Sequence, residues 1–143
     1  MATRSTIAME REDGVVAQVY CHWDGYLDHN GKILLEHYRD PAKVAQLLEL
    51  GDLSVLAPEI GEAHDFNTSD YSVCTFYGRD RKENGVDAKL FKDFETYKLQ
   101  HQYEEYEYIM RLVDGQPTWF VHYDDFNYIP LTEAIAIEQE QDE

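Results

Sequence analysis

The sequence predicts an α+β domain in which an antiparallel sheet of about five strands carries short helices on one face. Three observations support this prediction. Two stretches of alternating apolar and polar residues are each interrupted by an Asp-Gly pair, at positions 13–14 and 114–115, which is typical of a β-hairpin. A single strand-like run, residues 71–77, is rich in aromatic and β-branched side chains. Helix signals lie between the first hairpin and this run.

The first hairpin comprises residues 6–10 and 15–21, which flank an Arg-Glu-Asp-Gly turn. Its second strand brings His22, Trp23 and Asp24 to the strand end, where a loop can expose their side chains.

Two short helices are predicted after this hairpin. Asn30 is a suitable N-cap for a helix that continues to Tyr38. The second helix has Asp40 as its cap and Pro41 at its first position, and it ends at Gly51.

The middle of the chain gives weaker signals. Residues 52–70 are rich in Gly, Pro, Asp and Asn and are expected to form an irregular connection. Gly78 is expected to end the strand formed by residues 71–77. Residues 82–103 contain part of a helical apolar stripe and are expected to include a short helix.

The second hairpin is predicted from residues 105–112 and 118–123. A helix is expected over residues 132–137, and the acidic residues 138–143 are expected to fray. Residues 1–137 therefore form one predicted domain.

The chain of 143 residues is strongly acidic, with 29 Asp and Glu against 12 Lys and Arg and a formal net charge of −17. Nucleic-acid backbones are bound mainly through Lys and Arg, so direct binding to nucleic acid is not expected. No signal peptide and no apolar run of about 18 residues is present, which predicts a cytoplasmic protein without a membrane partner. Cys21 and Cys74 are expected to be buried, reduced thiols.

Residues 21–31 concentrate two histidines, two acids and two aromatic residues around an Asn-Gly pair. In one interpretation this segment is a hydrogen-bonded turn, in which Asp24 and Asn30 satisfy backbone donors and Trp23 belongs to the core. In the other, the segment is an exposed recognition site that offers flat rings and hydrogen-bonding groups together.

The spacing of these residues argues against metal binding and catalysis. Cys21 and His22 are neighbours on a strand, so their side chains point to opposite faces. The chain contains no nucleophile, phosphate-loop or dinucleotide motif. We therefore expect a protein that is not an enzyme and uses no metal or cofactor.

Arg79 and Arg81 flank Asp80 directly after Gly78. The two guanidinium groups either neutralise nearby carboxylates or bind an anion with forked hydrogen bonds. If they lie beside the loop, the two motifs would form a pocket for a small anionic ligand. The residues predicted to line it are His22, Trp23, Asp24, Tyr26, His29, Asn30, Tyr38, Arg79 and Arg81.

Acidic residues interleaved with aromatic residues suggest a second kind of site. Such a surface can imitate the charge density of a nucleic acid and occupy a basic groove on another protein, although a surplus of acid also serves general solubility. The candidate protein-binding residues are Glu104, Glu105, Glu107, Asp124 and Asp125.

Three motifs together resemble a family of small, uncharacterised proteins of bacteriophages and mobile elements. They are the opening Thr3-Arg4-Ser5-Thr6-Ile7-Ala8, the motif Cys21-His22-Trp23-Asp24-Gly25-Tyr26, and Tyr77-Gly78-Arg79-Asp80-Arg81. The resemblance covers most of residues 3–123. It implies an accessory protein that acts in the cytoplasm of a bacterial host cell and interferes with a host process such as antiviral defence.

Two functions follow as expectations. In the first, the acidic surface binds a host protein with a basic groove in place of nucleic acid. In the alternative, a pocket near the two motifs sequesters a small anionic ligand, such as a signalling nucleotide. Homo-oligomer formation is left open.

Overall fold

The computed structural model describes residues 3–67, 72–99, 105–123 and 128–141, which form one mixed β-sheet with helices on both faces. The strands are β1 Ser5–Glu10, β2 Val16–Cys21, β3 Leu53–Val55, β4 Thr75–Phe76, β5 Lys89–Phe91, β6 Tyr106–Val113, β7 Gln116–Tyr123 and β8 Ile129–Pro130. The helices are α1 Lys32–His37, α2 Pro41–Glu49, α3 Tyr77–Arg81, α4 Phe94–Leu99 and α5 Leu131–Gln141, and a π-helix, Leu27–Gly31, leads into α1. The predicted α+β class is confirmed.

The sheet has eight strands in the order β4-β3-β2-β1-β6-β7-β8, with β5 also paired to β2. The prediction of an antiparallel sheet of about five strands is therefore wrong in its details. Strands β1 and β6 are parallel, and so are β2 and β3. In each case a long connection returns the chain to the sheet in the same direction, and such a return has no local sequence signal.

Both predicted hairpins are confirmed. Strands β1 and β2 pair along their whole length, and the backbone N–H of Val15 donates to the Asp13 carboxylate at 3.0 Å within the turn. Strands β6 and β7 are joined by Asp114 and Gly115, which have φ values of 52° and 80°. Two consecutive left-handed residues are what the tight turn of a twisted hairpin requires.

The first predicted helix begins differently from the expectation. Asn30 is not an N-cap, because the chain already forms the π-helix at Leu27–Gly31 and continues into α1. Helix α2 is confirmed, with the Asp40 carboxylate accepting from the N–H of Ala42 at 2.9 Å. Gly51 follows α2 with a φ of 83°.

The middle of the chain departs most from the prediction. The segment expected to be irregular contains β3. Of the strand expected over residues 71–77, the described residues 72–77 contain β4, which ends where Tyr77 begins α3. Gly78 thus lies inside a short helix. The region 82–103 contains the expected helix as α4, together with the unpredicted strand β5. Helix α5 extends to Gln141, beyond the predicted end at residue 137.

The two faces of the sheet carry separate apolar cores. The larger core packs Ile7, Val19 and Tyr108 against α1, α2 and α5. The smaller core, on what we call the second face, includes Ala8, Ile109 and Phe91 of the sheet strand β5, and α4 covers it with Tyr97. Helices therefore lie on both faces, not on one as predicted. In the part of the chain that the structure describes, no helix is long and apolar enough to cross a membrane.

Candidate functional site

Residues 22–31, here called the aromatic loop, lie where β2 leaves the sheet. The backbone N–H groups of His22 and Trp23 donate to the carbonyls of Leu53 and Ser54, so the loop starts as an extension of β2 beside β3. The chain then reverses at Asp24, which has a left-handed φ of 57°. Such a conformation is uncommon for a residue with a side chain and is often found at functional sites.

The loop backbone is pinned from several directions. Asn30 is buried. Its side-chain amide nitrogen lies 3.3 Å from the carbonyl oxygen of Trp23 and 3.4 Å from the Ser5 hydroxyl. The Tyr108 hydroxyl donates to the carbonyl of Gly25 at 2.6 Å. A Cβ atom on Gly25 would lie 2.7 Å from the Cβ of Ser5, so this position requires glycine. The loop is therefore a rigid part of the fold.

This rigid backbone holds two aromatic side chains out of the protein. Trp23 is 43% exposed and Tyr26 is 38% exposed. The His22 ring packs edge-on against the Trp23 indole at 4.8 Å between centroids, and its Nδ1 lies 2.7 Å from the Tyr20 hydroxyl. The His29 ring lies 6.0 Å from Tyr26. The interpretation that places Trp23 in the core is wrong, although Asn30 does satisfy loop backbone as that interpretation required.

Acidic side chains lie within and beside the aromatic loop. Lys32 forms an ion pair of 2.7 Å with Asp28. This pair, with further contributions from the carboxylates of Glu36 and Glu138, raises the pKa of the Lys32 ammonium. We call Asp28, Glu36 and Glu138 the acidic face. It is carried by the π-helix, α1 and α5, which pack against one another.

Arg79 is bound by the protein's own groups. Its Nε and Nη2 donate to the Asp80 carboxylate at 3.0 and 3.1 Å. Its Nη1 donates to the carbonyls of Ile60 and Gly61, at 3.0 and 2.9 Å, and its Nη2 also donates to the carbonyl of Cys74 at 2.8 Å. A guanidinium group has five N–H donors. These contacts use all of them, so none is left for a ligand.

Asp80 completes this arrangement, and its side chain is 0% exposed. Besides Arg79 it accepts from the backbone N–H groups of Phe76 and His64, at 2.8 and 3.0 Å. Burial would raise the pKa of Asp80, but the Arg79 and backbone donors outweigh burial and lower that pKa. Asp80 is therefore ionised at neutral pH, and Arg79 is its counter-ion.

Arg81 and Tyr38 are also separate from the aromatic loop. Arg81 pairs with Glu83 at 2.6 Å and lies over the rings of Phe66 and Tyr77. Tyr38 is a buried core residue whose hydroxyl donates to the carbonyl of Ala57 at 2.7 Å. Within the described ranges, no hydrogen bond, ion pair or ring contact joins either arginine to the loop. The structure thus brings together the six predicted loop residues but does not add Tyr38, Arg79 or Arg81 to them.

Of the five predicted protein-binding acids, two lie among the described residues, and these two differ in exposure. Glu104, Asp124 and Asp125 lie outside the described residues. Glu105 is exposed, as a binding surface requires. Glu107 is 0% exposed, because its strand position faces the covered second face of the sheet, and its Oε2 lies 3.3 Å from the Nδ1 of His122.

The surroundings of Glu107 contain polar residues that sequence reasoning did not select. Thr6, Gln18 and Tyr97 are buried on the same second face. Ala8, on the same face of the strand as Thr6, was the available sign that this face is covered.

Comparisons with protein-family models, with curated proteins and with solved structures gave no match. Among the side chains that the structure describes, no group of three or more His, Cys, Asp or Glu is placed to hold a metal ion.

Proposed function

We propose that the chain is a non-enzymatic binding protein that engages a basic protein partner through the aromatic loop and the adjoining acidic face. The observation that carries this proposal is the exposure of Trp23 and Tyr26 on a backbone fixed by Asn30, Gly25 and Tyr108. Folding holds both rings partly in water, where they bury less apolar surface than they could in a complex.

Rigid aromatic side chains are effective anchors in protein interfaces. Trp and Tyr are enriched among the few residues that supply most of the binding energy, and each has only two side-chain torsions to immobilise. Because the loop is already fixed, association loses little backbone entropy. The His22 ring further restricts the Trp23 indole by packing against it.

The charge of the chain supports a basic partner. A net charge of −17 accelerates encounter with a positively charged surface and disfavours anionic ligands. A protein groove that normally binds nucleic acid has this property, and Glu105 would extend the contact. The resemblance to phage proteins adds the proposal that the partner belongs to the bacterial host and acts in antiviral defence.

The alternative function, a pocket for a small anion between the aromatic loop and the Arg79 turn, has less support. Its main donor was to be Arg79, whose N–H groups are all occupied by Asp80 and three carbonyls. Arg81 retains some exposure but is paired with Glu83.

The contribution of charge can be tested with two triple variants that change the net charge equally. Asp28→Asn/Glu36→Gln/Glu138→Gln neutralises the acidic face, whereas Glu12→Gln/Glu49→Gln/Glu62→Gln neutralises exposed acids outside it. We expect the first variant to weaken association at low ionic strength on the order of tenfold, chiefly through a slower on-rate, and the second to have a smaller effect.

The measurement is binding kinetics at low and high ionic strength, with a partner captured from lysate of the host and then purified. The difference between parent and acidic-face variant should shrink at high salt, since screening removes long-range attraction. Equal effects of the two triple variants, or an affinity that ignores salt, would contradict a charge-driven partner.

A further inference from the structure

A cleft of about 390 Å³ opens where the β6–β7 hairpin meets the helices on the side of the larger core. The buried residues Met110 and Trp119 lie at its base, and Leu35 of α1 and Pro117 of β7 add further apolar surface. This volume is within the range of small-molecule sites, about 300–1,000 Å³. No residue that lines the cleft belongs to the aromatic loop or to α3.

Arg39 brings a positive charge to this cleft. It follows α1, and its Nε donates back to the carbonyl of Leu35 at 3.1 Å. Because Leu35 also lines the cleft, this bond holds the guanidinium beside it. The bond uses one of the five N–H donors, and the two Nη groups carry the other four. The Nη groups donate to no protein group in the described part of the chain.

The charge of Arg39 is not neutralised by a neighbouring acid. Arg79, Arg81 and Arg111 each pair with a carboxylate, at 3.0, 2.6 and 3.1 Å. Arg39 forms no such pair with a described carboxylate, and no described Asp or Glu lines the cleft, although the chain has 29 of these acids. The cleft is therefore a local site of uncompensated positive charge on an acidic protein.

Neutral polar groups complete the lining. They are the side chains of Gln116, Thr118 and Thr132. The Thr118 hydroxyl donates to the carbonyl of Gln116 at 3.2 Å. The hydroxyl of Thr132 and the side-chain amide of Gln116 make no hydrogen bond to a described residue, and both are donors that an oxygen atom of a ligand can use. Around Arg39 the cleft thus offers donors over an apolar base.

We propose that this cleft binds a small organic oxyanion, a carboxylate or a phosphate monoester, attached to an apolar body. The two Nη groups of Arg39 form a fork that matches either oxyanion with two parallel hydrogen bonds. Thr132 and Gln116 would donate to the remaining oxygens, and the apolar body would lie on Met110 and Trp119. This site is separate from the aromatic loop, so its test does not depend on the proposed partner.

The net charge of −17 opposes the approach of an anion, but it does not prevent contact within the cleft. At physiological ionic strength, charges on an exposed surface are largely screened beyond about 8 Å. A bidentate hydrogen bond from a guanidinium acts at contact distance and is screened much less when the apolar body excludes water.

The test titrates 1-naphthylacetate and 1-naphthyl phosphate into the full chain labelled with 5-fluorotryptophan, at about 0.15 M ionic strength. Trp119 lies in the cleft and Trp23 does not, so at least one of the two anions should shift the Trp119 fluorine signal saturably and leave the Trp23 signal in place. The anion that binds identifies the oxyanion class. The neutral control is 1-naphthylacetamide, which keeps the rings but has no charge and should bind at least about tenfold more weakly.

Two variants with the same change in net charge test the role of Arg39. Arg39→Gln should weaken binding of the anion by about tenfold or more, whereas Arg11→Gln should change it little. Arg11 likewise pairs with no described carboxylate and lies outside this cleft. Arg39→Lys keeps the charge without the fork, so its affinity should be intermediate.

Melting temperatures of the three variants, which should match that of the parent, separate lost binding from lost folding. The proposal is overturned if neither anion shifts the Trp119 signal, or if the amide binds as well as the anions. Equal effects of Arg39→Gln and Arg11→Gln would also overturn it, because the arginines would then act by general attraction and not through a site.

Discussion

Arg79→Ala is expected to lower the free energy of unfolding by about 3–5 kcal/mol, because it leaves Asp80 as a buried charge without its counter-ion. The Asp80 side chain is 0% exposed. Among the described residues, two backbone N–H groups would still donate to it, and the His64 ring nitrogen Nε2 lies 3.6 Å from its Oδ2. Three carbonyls, those of Ile60, Gly61 and Cys74, would lose a donor as well. Through these carbonyls Arg79 links α3 to residues 60 and 61, which are distant in sequence, so the loss of stability should extend beyond α3.

Arg81→Ala is the matched control, two residues away on the same helix. Its ion pair with Glu83 is largely solvent-exposed, so we expect a loss below about 1 kcal/mol. Urea unfolding of both variants measures the difference directly. If Arg79→Ala proved as stable as Arg81→Ala, the Arg79 guanidinium would not be a structural element, and the anion-binding pocket would regain its main donor.

Trp23→Ala/Tyr26→Ala is expected to weaken partner binding by about 3 kcal/mol or more, which is more than about 100-fold in Kd. Both side chains are partly exposed, so the melting temperature should change little. The reason is that the two rings are the rigid anchors of the proposed interface, and truncation removes the area that they would bury.

Leu90→Ala/Leu99→Ala is the control for this double variant, since both leucines are more exposed than Trp23 and lie away from the loop in β5 and α4. It should bind the partner as the parent does. Isothermal titration of the partner into the parent and into each double variant gives the comparison. Equal affinity of both double variants would remove the aromatic loop from the interface.

Local signals account for what could be predicted of the fold. The Asp13-Gly14 and Asp114-Gly115 turns and the Asp40 cap act within a few residues, and the elements that they define are present. The parallel pairing of β6 with β1 depends on contacts between residues about a hundred positions apart, which no local pattern encodes.

The candidate site shows the same division between local and distant causes. The composition of the aromatic loop left a hydrogen-bonded turn and a recognition segment as alternatives, and the exposure of Trp23 is what the second requires. The partners of Arg79 are carbonyls at residues 60, 61 and 74, which composition cannot reveal. Glu107 seemed a surface acid because its strand alternates, but the helix that covers it comes from elsewhere in the chain.

The central claim is that Trp23 becomes buried when the partner binds, and fluorine NMR tests it most directly. The chain has two tryptophans, Trp23 on the loop and Trp119, which is buried and donates its indole N–H to the carbonyl of Tyr38. Incorporating 5-fluorotryptophan gives one signal for each, assigned with Trp23→Phe, and an unlabelled partner contributes none.

In the free protein, the Trp23 signal should shift between H₂O and D₂O, whereas the Trp119 signal should not. At saturation with the partner, we predict that the Trp23 signal moves and loses this solvent shift while the Trp119 signal stays in place. A Trp23 signal that keeps its position and its full solvent shift in the saturated complex would contradict the account.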